Sequence, residues 1–192
     1  YKSLTQHIGQ LYIDKKNYLL WVGTSTYTHA CFDMKQNKFV DFTSIGDTER
    51  PYRKIKHYGN DTWMFSNTSG IRHITFDNGK FSLTDYTAEN HELKSNDIRE
   101  LCEDNNHSVW AASTKGMIKI SPNRKATILE GDIEFLGCIA YKDKILAFSK
   151  KNQTAYIFNS NGKLKNKCIL ASVMGRIGAI KGAIVWHGKW IM

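Results

Sequence analysis

Proline is scarce in this sequence: Pro51 and Pro122 are the only two in 192 residues. No run approaches eighteen apolar residues, so no segment reads as a membrane-spanning helix. No window sustains a 3.6-residue apolar period, which excludes helical bundles and alternating α/β folds. Low-complexity tracts are missing, and the first residues, Tyr1-Lys2-Ser3-Leu4-Thr5, contain no signal peptide. There is no Cys-x-x-Cys pair and no Cys/His ligand spacing, so no zinc or other metal site is expected. A G-x-S-x-G elbow is also absent, and Gly175-Arg176-Ile177-Gly178 is not followed by a helix that could seat a phosphate. No catalytic residue and no cofactor are expected.

What is present is short β-type runs punctuated by turn residues. Ser95 to Pro122 contains an apolar segment, Ile98 to Cys102, then the polar run Glu103 to His107. Strand-like Val109-Trp110-Ala111-Ala112 and Met117-Ile118-Lys119-Ile120 follow, separated by Ser113-Thr114-Lys115-Gly116. One meander cannot bury both its faces, so recurrence is the next question. The pattern recurs at Trp21, Trp63, Trp110, Leu146 and Val185, at intervals of 42, 47, 36 and 39 residues (63−21, 110−63, 146−110, 185−146). Eight residues before each stands a second anchor: Ile13, Ile55, Cys102, Cys138 and Ile177. A period near 40 with variable loops is the signature of four-stranded propeller blades.

The motif Asn96-x-Ile98-x-x-Leu101-x-x-Asp104, followed by Val109-Trp110-Ala111-Ala112-Ser113 and Gly116-Met117, resembles the two-component-regulator propeller repeat. Trp21-Val22-Gly23-Thr24 matches that repeat's W-I-G-T core, and Trp63 to Ser66 with Gly70-Ile71 matches with one residue inserted. The fourth and fifth copies lack the tryptophan and the Gly-Leu turn and are placed by spacing.

The expected fold is therefore all-β: a β-propeller fragment of about four and a half four-stranded blades. The blades are placed at about residues 8–43, 52–86, 97–129 and 133–170, with a partial blade at 176–192. Asn60-Asp61, Asp77-Asn78-Gly79, Asn105-Asn106 and Asn159-Ser160-Asn161-Gly162 fall between strands, where Asn and Gly adopt positive φ at little cost. The chain has no initiator Met and stops inside a blade, so it reads as one propeller segment excised from a longer protein. It is then expected to meet other blades and downstream signalling domains of its parent, and an open arc of blades would favour a homodimer.

Large second-strand side chains fill the wedge between blades, so the tryptophans, Phe65, Phe76, Phe81 and Tyr156 read as core. Cys31, Cys102, Cys138 and Cys168 read as buried thiols. Cys102 and Cys138 hold equivalent positions in adjacent blades, and sheets ~10 Å apart exceed the ~7 Å Cα reach of a disulfide. Glu103-Asp104 reads as a solvated turn.

The charge is more pointed. Twenty-seven Lys and Arg against eighteen Asp and Glu give a net charge of +9. Lys15, Lys16, Lys150, Lys151, Lys163, Lys165 and Lys167 fall in turns and edge strands, where they discourage edge-to-edge pairing. Arg53, Arg99 and Arg176 lie ten, eleven and nine residues before their anchors (63−53, 110−99, 185−176), at the starts of inner strands that surround one mouth of a propeller channel. An arginine fork suits carboxylate and sulfate groups, so these three are candidate ligand contacts, against the reading of solvated strand ends. Trp186 and His187, near the break in the repeat, are further candidates: a ring there could stack on a sugar. Core packing or exposure at an incomplete blade is the competing reading.

The resemblance implies a periplasmic sensor region of a Bacteroides-type hybrid two-component system, anchored in the inner membrane and sensing oligosaccharides released from glycans. The histidine kinase of such a protein lies outside this chain, so the chain itself is expected to be no enzyme. The basic charge favours acidic oligosaccharides. The alternatives are a protein-interaction platform without a small-molecule ligand, then a propeller enzyme; no nucleic-acid partner is expected.

Overall fold

In the computed structural model the described residues are 8–24, 29–42, 50–149, 151, 153–169, 184–186 and 189–191. They contain strands only, and none of them forms a helix able to cross a membrane. The architecture is that of a β-propeller fragment: four antiparallel sheets of four strands, each a simple meander, and a two-stranded hairpin. The chain divides into two compact units, residues 1–99 and 100–192.

In the first unit, one sheet holds β1 (Ile8–Asp14), β2 (Leu19–Thr24), β3 (His29–Asp33) and β4 (Lys38–Phe39). The next holds β5 (Lys54–Tyr58), β6 (Asp61–Phe65), β7 (Ile71–Asp77) and β8 (Lys80–Tyr86). The third sheet is β9 (Ile98–Glu103), β10 (Val109–Ser113), β11 (Gly116–Ile120) and β12 (Ala126–Leu129). The fourth is β13 (Gly137–Tyr141), β14 (Lys144–Ser149), β15 (Thr154–Asn159) and β16 (Leu164–Ile169). β17 (Ile184–Trp186) pairs with β18 (Lys189–Ile191).

Burial follows position in the sheet. Every residue of β10 is buried, whereas β16, an outer strand, is exposed except at Leu164 and Cys168. Lys163, Lys165 and Lys167 are exposed along that edge, as edge protection requires. Trp21, Trp63 and Trp110 are core: Trp21 stacks on Phe42 at 5.7 Å between ring centroids, Trp63 on His73 at 4.2 Å, and Trp110 meets Phe158 at 6.2 Å. Removing such a ring typically costs about 3–5 kcal/mol. Phe65 and Tyr156 are buried, and Phe76 and Phe81 pack against the first unit's core of Leu19, Trp21, Cys31, Phe42, Tyr52, Ile55, Met64 and Ile74.

Two glycines of the repeat are fixed by sterics. Gly70 (φ +76) immediately precedes β7 and Gly116 (φ +111) opens β11. A Cβ on Gly70 would strike the Tyr86 carbonyl, and one on Gly116 would lie 2.7 Å from the Leu129 carbonyl oxygen. This explains why the motif carries Gly before its apolar residue.

Asp104 departs from the expected solvated turn. It is buried, and its Oδ1 accepts backbone N–H bonds from Asn106 and Ser108 at 2.9 Å each. Its Oδ2 accepts the Trp110 indole N–H at 2.8 Å. All four cysteines are buried free thiols, as expected, although the Cys102 and Cys138 sulfurs approach to 3.5 Å.

Candidate functional site

The site is built from the strand-start end of the first unit. Pro51 and Tyr52 lead into β5, and the Arg53 N–H donates to the Phe65 carbonyl at 3.1 Å, which leaves the Arg53 side chain exposed. Lys54, the next residue, lays its ammonium over the Phe65 ring at 5.4 Å and donates to the Arg99 carbonyl at 2.8 Å. The Ile98 N–H donates to the Ser66 carbonyl at 2.9 Å, fixing the start of β9 beside the end of β6. Arg99 donates from Nη2 to Asp97 Oδ2 at 2.7 Å, with its side chain 37% exposed. Arg50 and Glu89 form an ion pair at 3.7 Å on the same approach. Glu89 also accepts the Asn96 amide at 2.7 Å. Hydrogen bonds from its own backbone N–H, from Thr87 and from Asn96, with the Arg50 charge, hold the exposed Glu89 carboxyl below its ordinary range.

This rim thus carries four cations, Arg50, Arg53, Lys54 and Arg99, against two carboxylates, Asp97 and Glu89. The Lys54 ammonium reaches from the start of β5 to the backbone carbonyl of Arg99 at the start of β9. Arg176 and His187 lie outside the described residues; Trp186 closes β17, and its side chain is likewise outside them. Lys54, Arg50 and Asp97 were not legible as site residues. Lys54 resembles any edge lysine in sequence, and only its reach to Arg99 marks it.

A polar pocket of about 400 Å³ lies at the hairpin-turn end of the same unit, between the turns that follow β1, β3, β5 and β7. Lys16 and Lys35 there face Asp33 and Asp77, so its charges cancel and it favours neither sign of ligand. The rim has the charge and the pocket has the volume. We weigh charge more heavily, since an open strand-end surface suits an extended chain ligand.

Two histidines of this unit, His73 and His57, are engaged in packing and hydrogen bonds. His73 Nε2 meets Asp61 Oδ2 at 3.0 Å, but His73 is buried under Trp63. His57 stacks on Tyr12 with centroids 3.3 Å apart, and its Nδ1 faces Thr62 Oγ1 at 3.1 Å. Burial pushes His57 down to about 4, partly opposed by Asp14. Among the described residues, no group of three His, Cys, Asp or Glu could hold a metal ion.

No protein-family model matches the chain. No curated protein matches it either. Solved structures do. The chain is similar to the extracellular domain of a one-component system of B. thetaiotaomicron, at 20% identity and a TM-score of 0.58, over 86% of this chain and 24% of that one. It is similar to virginiamycin B lyase from Staphylococcus aureus at 12% identity and a TM-score of 0.62, over 89% and 59%. It is also similar to the β-propeller domain of Cps50 (Swd1) from Myceliophteria thermophila at 11% identity and a TM-score of 0.53, over 78% and 52%. The chain spans about a quarter of the first of these and little more than half of the other two. At these identities the likeness establishes the propeller fold.

Proposed function

We propose that this chain is a ligand-binding propeller segment of a bacterial sensor, and that its ligand is an anionic oligosaccharide released from a glycan. The observation that carries the reading is the strand-start rim, where Lys54 reaches the Arg99 carbonyl and the cations Arg50, Arg53, Lys54 and Arg99 outnumber the carboxylates Asp97 and Glu89 by two. Arginine forks bind sulfate and carboxylate bidentately, and Asp97 pre-orients the Arg99 guanidinium, lowering the cost of ordering it on binding. Two lines support the sensor context: the repeat motif, and similarity to an extracellular domain of a one-component system. The resemblance of the repeat favours a periplasmic segment of a hybrid two-component protein anchored in the inner membrane, with kinase chemistry outside this chain.

The test is a thermal-shift screen against acidic and neutral oligosaccharides at low and moderate salt. A ligand of the folded state at 100 times its Kd stabilises by about 2.7 kcal/mol. A shift confined to acidic sugars, and reduced by salt, is the expected result; a shift confined to neutral sugars would move the site to the turn-end pocket.

A second reading, an interaction platform, is favoured by a specific feature. β1 exposes Ile8, Leu11 and Ile13, each more than half accessible, whereas Ile55 at the equivalent position of β5 is buried. An exposed apolar strand of this kind suits protein contact. Concentration-dependent self-association without any sugar shift would favour this reading.

A further inference from the structure

Cys102 in β9 and Cys138 in β13 place their sulfurs 3.5 Å apart, in the distance range of a thiol–thiol hydrogen bond. The Cys138 thiol also faces the carbonyl oxygens of Trp110 at 3.6 Å and Glu100 at 3.7 Å. A disulfide bond is ~2.05 Å long, so closure needs an approach of only ~1.5 Å. The equivalent position in β5 is Ile55, so the repeat does not require cysteine here. Both cysteines belong to a core cluster whose other buried members, Trp110, Ala112, Met117, Phe135, Ile145, Ala147, Tyr156 and Phe158, are at most 3% exposed. The two cysteines retain 9% each, more than any other buried member of that cluster.

We propose that Cys102 and Cys138 form a reversible disulfide that staples the third sheet to the fourth, with a small-molecule disulfide as the oxidant. One thiol, as its thiolate, attacks a sulfur of the oxidant, forming a mixed disulfide and expelling one small thiol. The second protein thiolate then attacks the protein sulfur of that mixed disulfide and expels the second small thiol. Two protein thiols are oxidised, one oxidant disulfide is reduced, and the two protons end on the departing thiols.

The other two cysteines do not compete. Cys31 is fully buried, and its thiol is pushed up to about 12, by burial first and then by Asp33 and Asp14. Cys168 lies in β16, at the opposite edge of the sheet from β13, three strand spacings or ~14 Å away from it. Closing a loop of 36 residues (138−102) restrains the unfolded chain, so oxidation raises the melting temperature. The inference stands apart from the sensor reading, since it needs no ligand.

The experiment incubates the 192-residue chain, folded, with oxidised glutathione, then maps its thiols by alkylation and peptide mass spectrometry. The expected result is loss of two of the four thiols, a peptide linking Cys102 to Cys138, and a melting temperature raised by about 5–10 °C. Dithiothreitol reverses both, and Cys138→Ser shows no rise. Four intact thiols, a glutathione adduct that persists at either residue, or a link to Cys31 or Cys168 would each overturn the proposal. The peptide map of the unmutated protein decides alone if the serine variant does not fold.

Discussion

The Asp104 carboxylate accepts the Trp110 indole N–H at 2.8 Å, both groups being buried. This bond ties the turn after β9 to the middle of the third sheet's core and gives the repeat's aspartate a mechanical role. Asp104→Ala would leave the indole N–H and the N–H groups of Asn106 and Ser108 without their acceptor. Unsatisfied buried donors cost about 1–3 kcal/mol each, less where water reaches them. We expect a loss of about 2–4 kcal/mol in urea denaturation, with Asp104→Asn milder. A loss under about 0.5 kcal/mol would show the turn to be solvated after all.

Arg72 and Asp85 face each other across β7 and β8, bonded bidentately at 2.7 and 2.8 Å. Arg72 is buried, and its guanidinium lies 5.1 Å from the Tyr52 ring centre. Arg72→Ala leaves the Asp85 carboxylate, 27% exposed, without its partner and should cost about 2–3 kcal/mol, less than for a fully buried charge. Replacing both, with Arg72→Met and Asp85→Leu, should recover most of that, because a buried pair gains little over apolar packing. A double-mutant cycle checks this; additive losses would mean that the pair is not coupled.

Acid should weaken the first unit through His57. Its folded pKa of about 4 lies below the ordinary 6.5, so the unfolded chain takes up the proton first. Stability is therefore full above about pH 6.5, falls as the pH drops toward 4, and levels off below that. The limit is about 3 kcal/mol, reduced to about 1–2 kcal/mol because His57 is only partly buried. Chemical denaturation of His57→Phe across pH 4–7 should show a flatter profile than the unmutated chain. An unchanged profile would assign the acid sensitivity elsewhere.

The strands were legible because the recurring short β-type runs and the turn chemistry between them agree. Asn78 and Gly79 take positive φ between β7 and β8, and Gly162 does so between β15 and β16, as their sequence positions imply. Near Asn105-Asn106 the positive φ falls instead on His107, where the backbone bonds back to Asp104. Asp104 was misread because adjacent acidic residues in a polar run look solvated, and nothing local shows an indole six residues on folding back over them. The Cys102–Cys138 approach was missed for a different reason. Sheet spacing describes backbones, whereas two small side chains pointing at each other can meet inside that gap. In the rim, Arg53 and Arg99 were singled out by their positions ten and eleven residues before the anchors. Lys54 was not, since its bond to Arg99 joins residues 45 apart.

The rim is tested most directly by calorimetric titration of an acidic oligosaccharide, taken from the thermal-shift screen, into the unmutated chain, Arg53→Ala and Arg99→Ala. Each arginine lost from a bidentate anion contact should weaken Kd by about tenfold, or 1.4 kcal/mol, with melting temperatures little changed. Raising the salt should narrow the difference between the unmutated chain and the variants, since these charges are exposed. Equal affinity in all three proteins would contradict the account and remove the strand-start rim as the binding site.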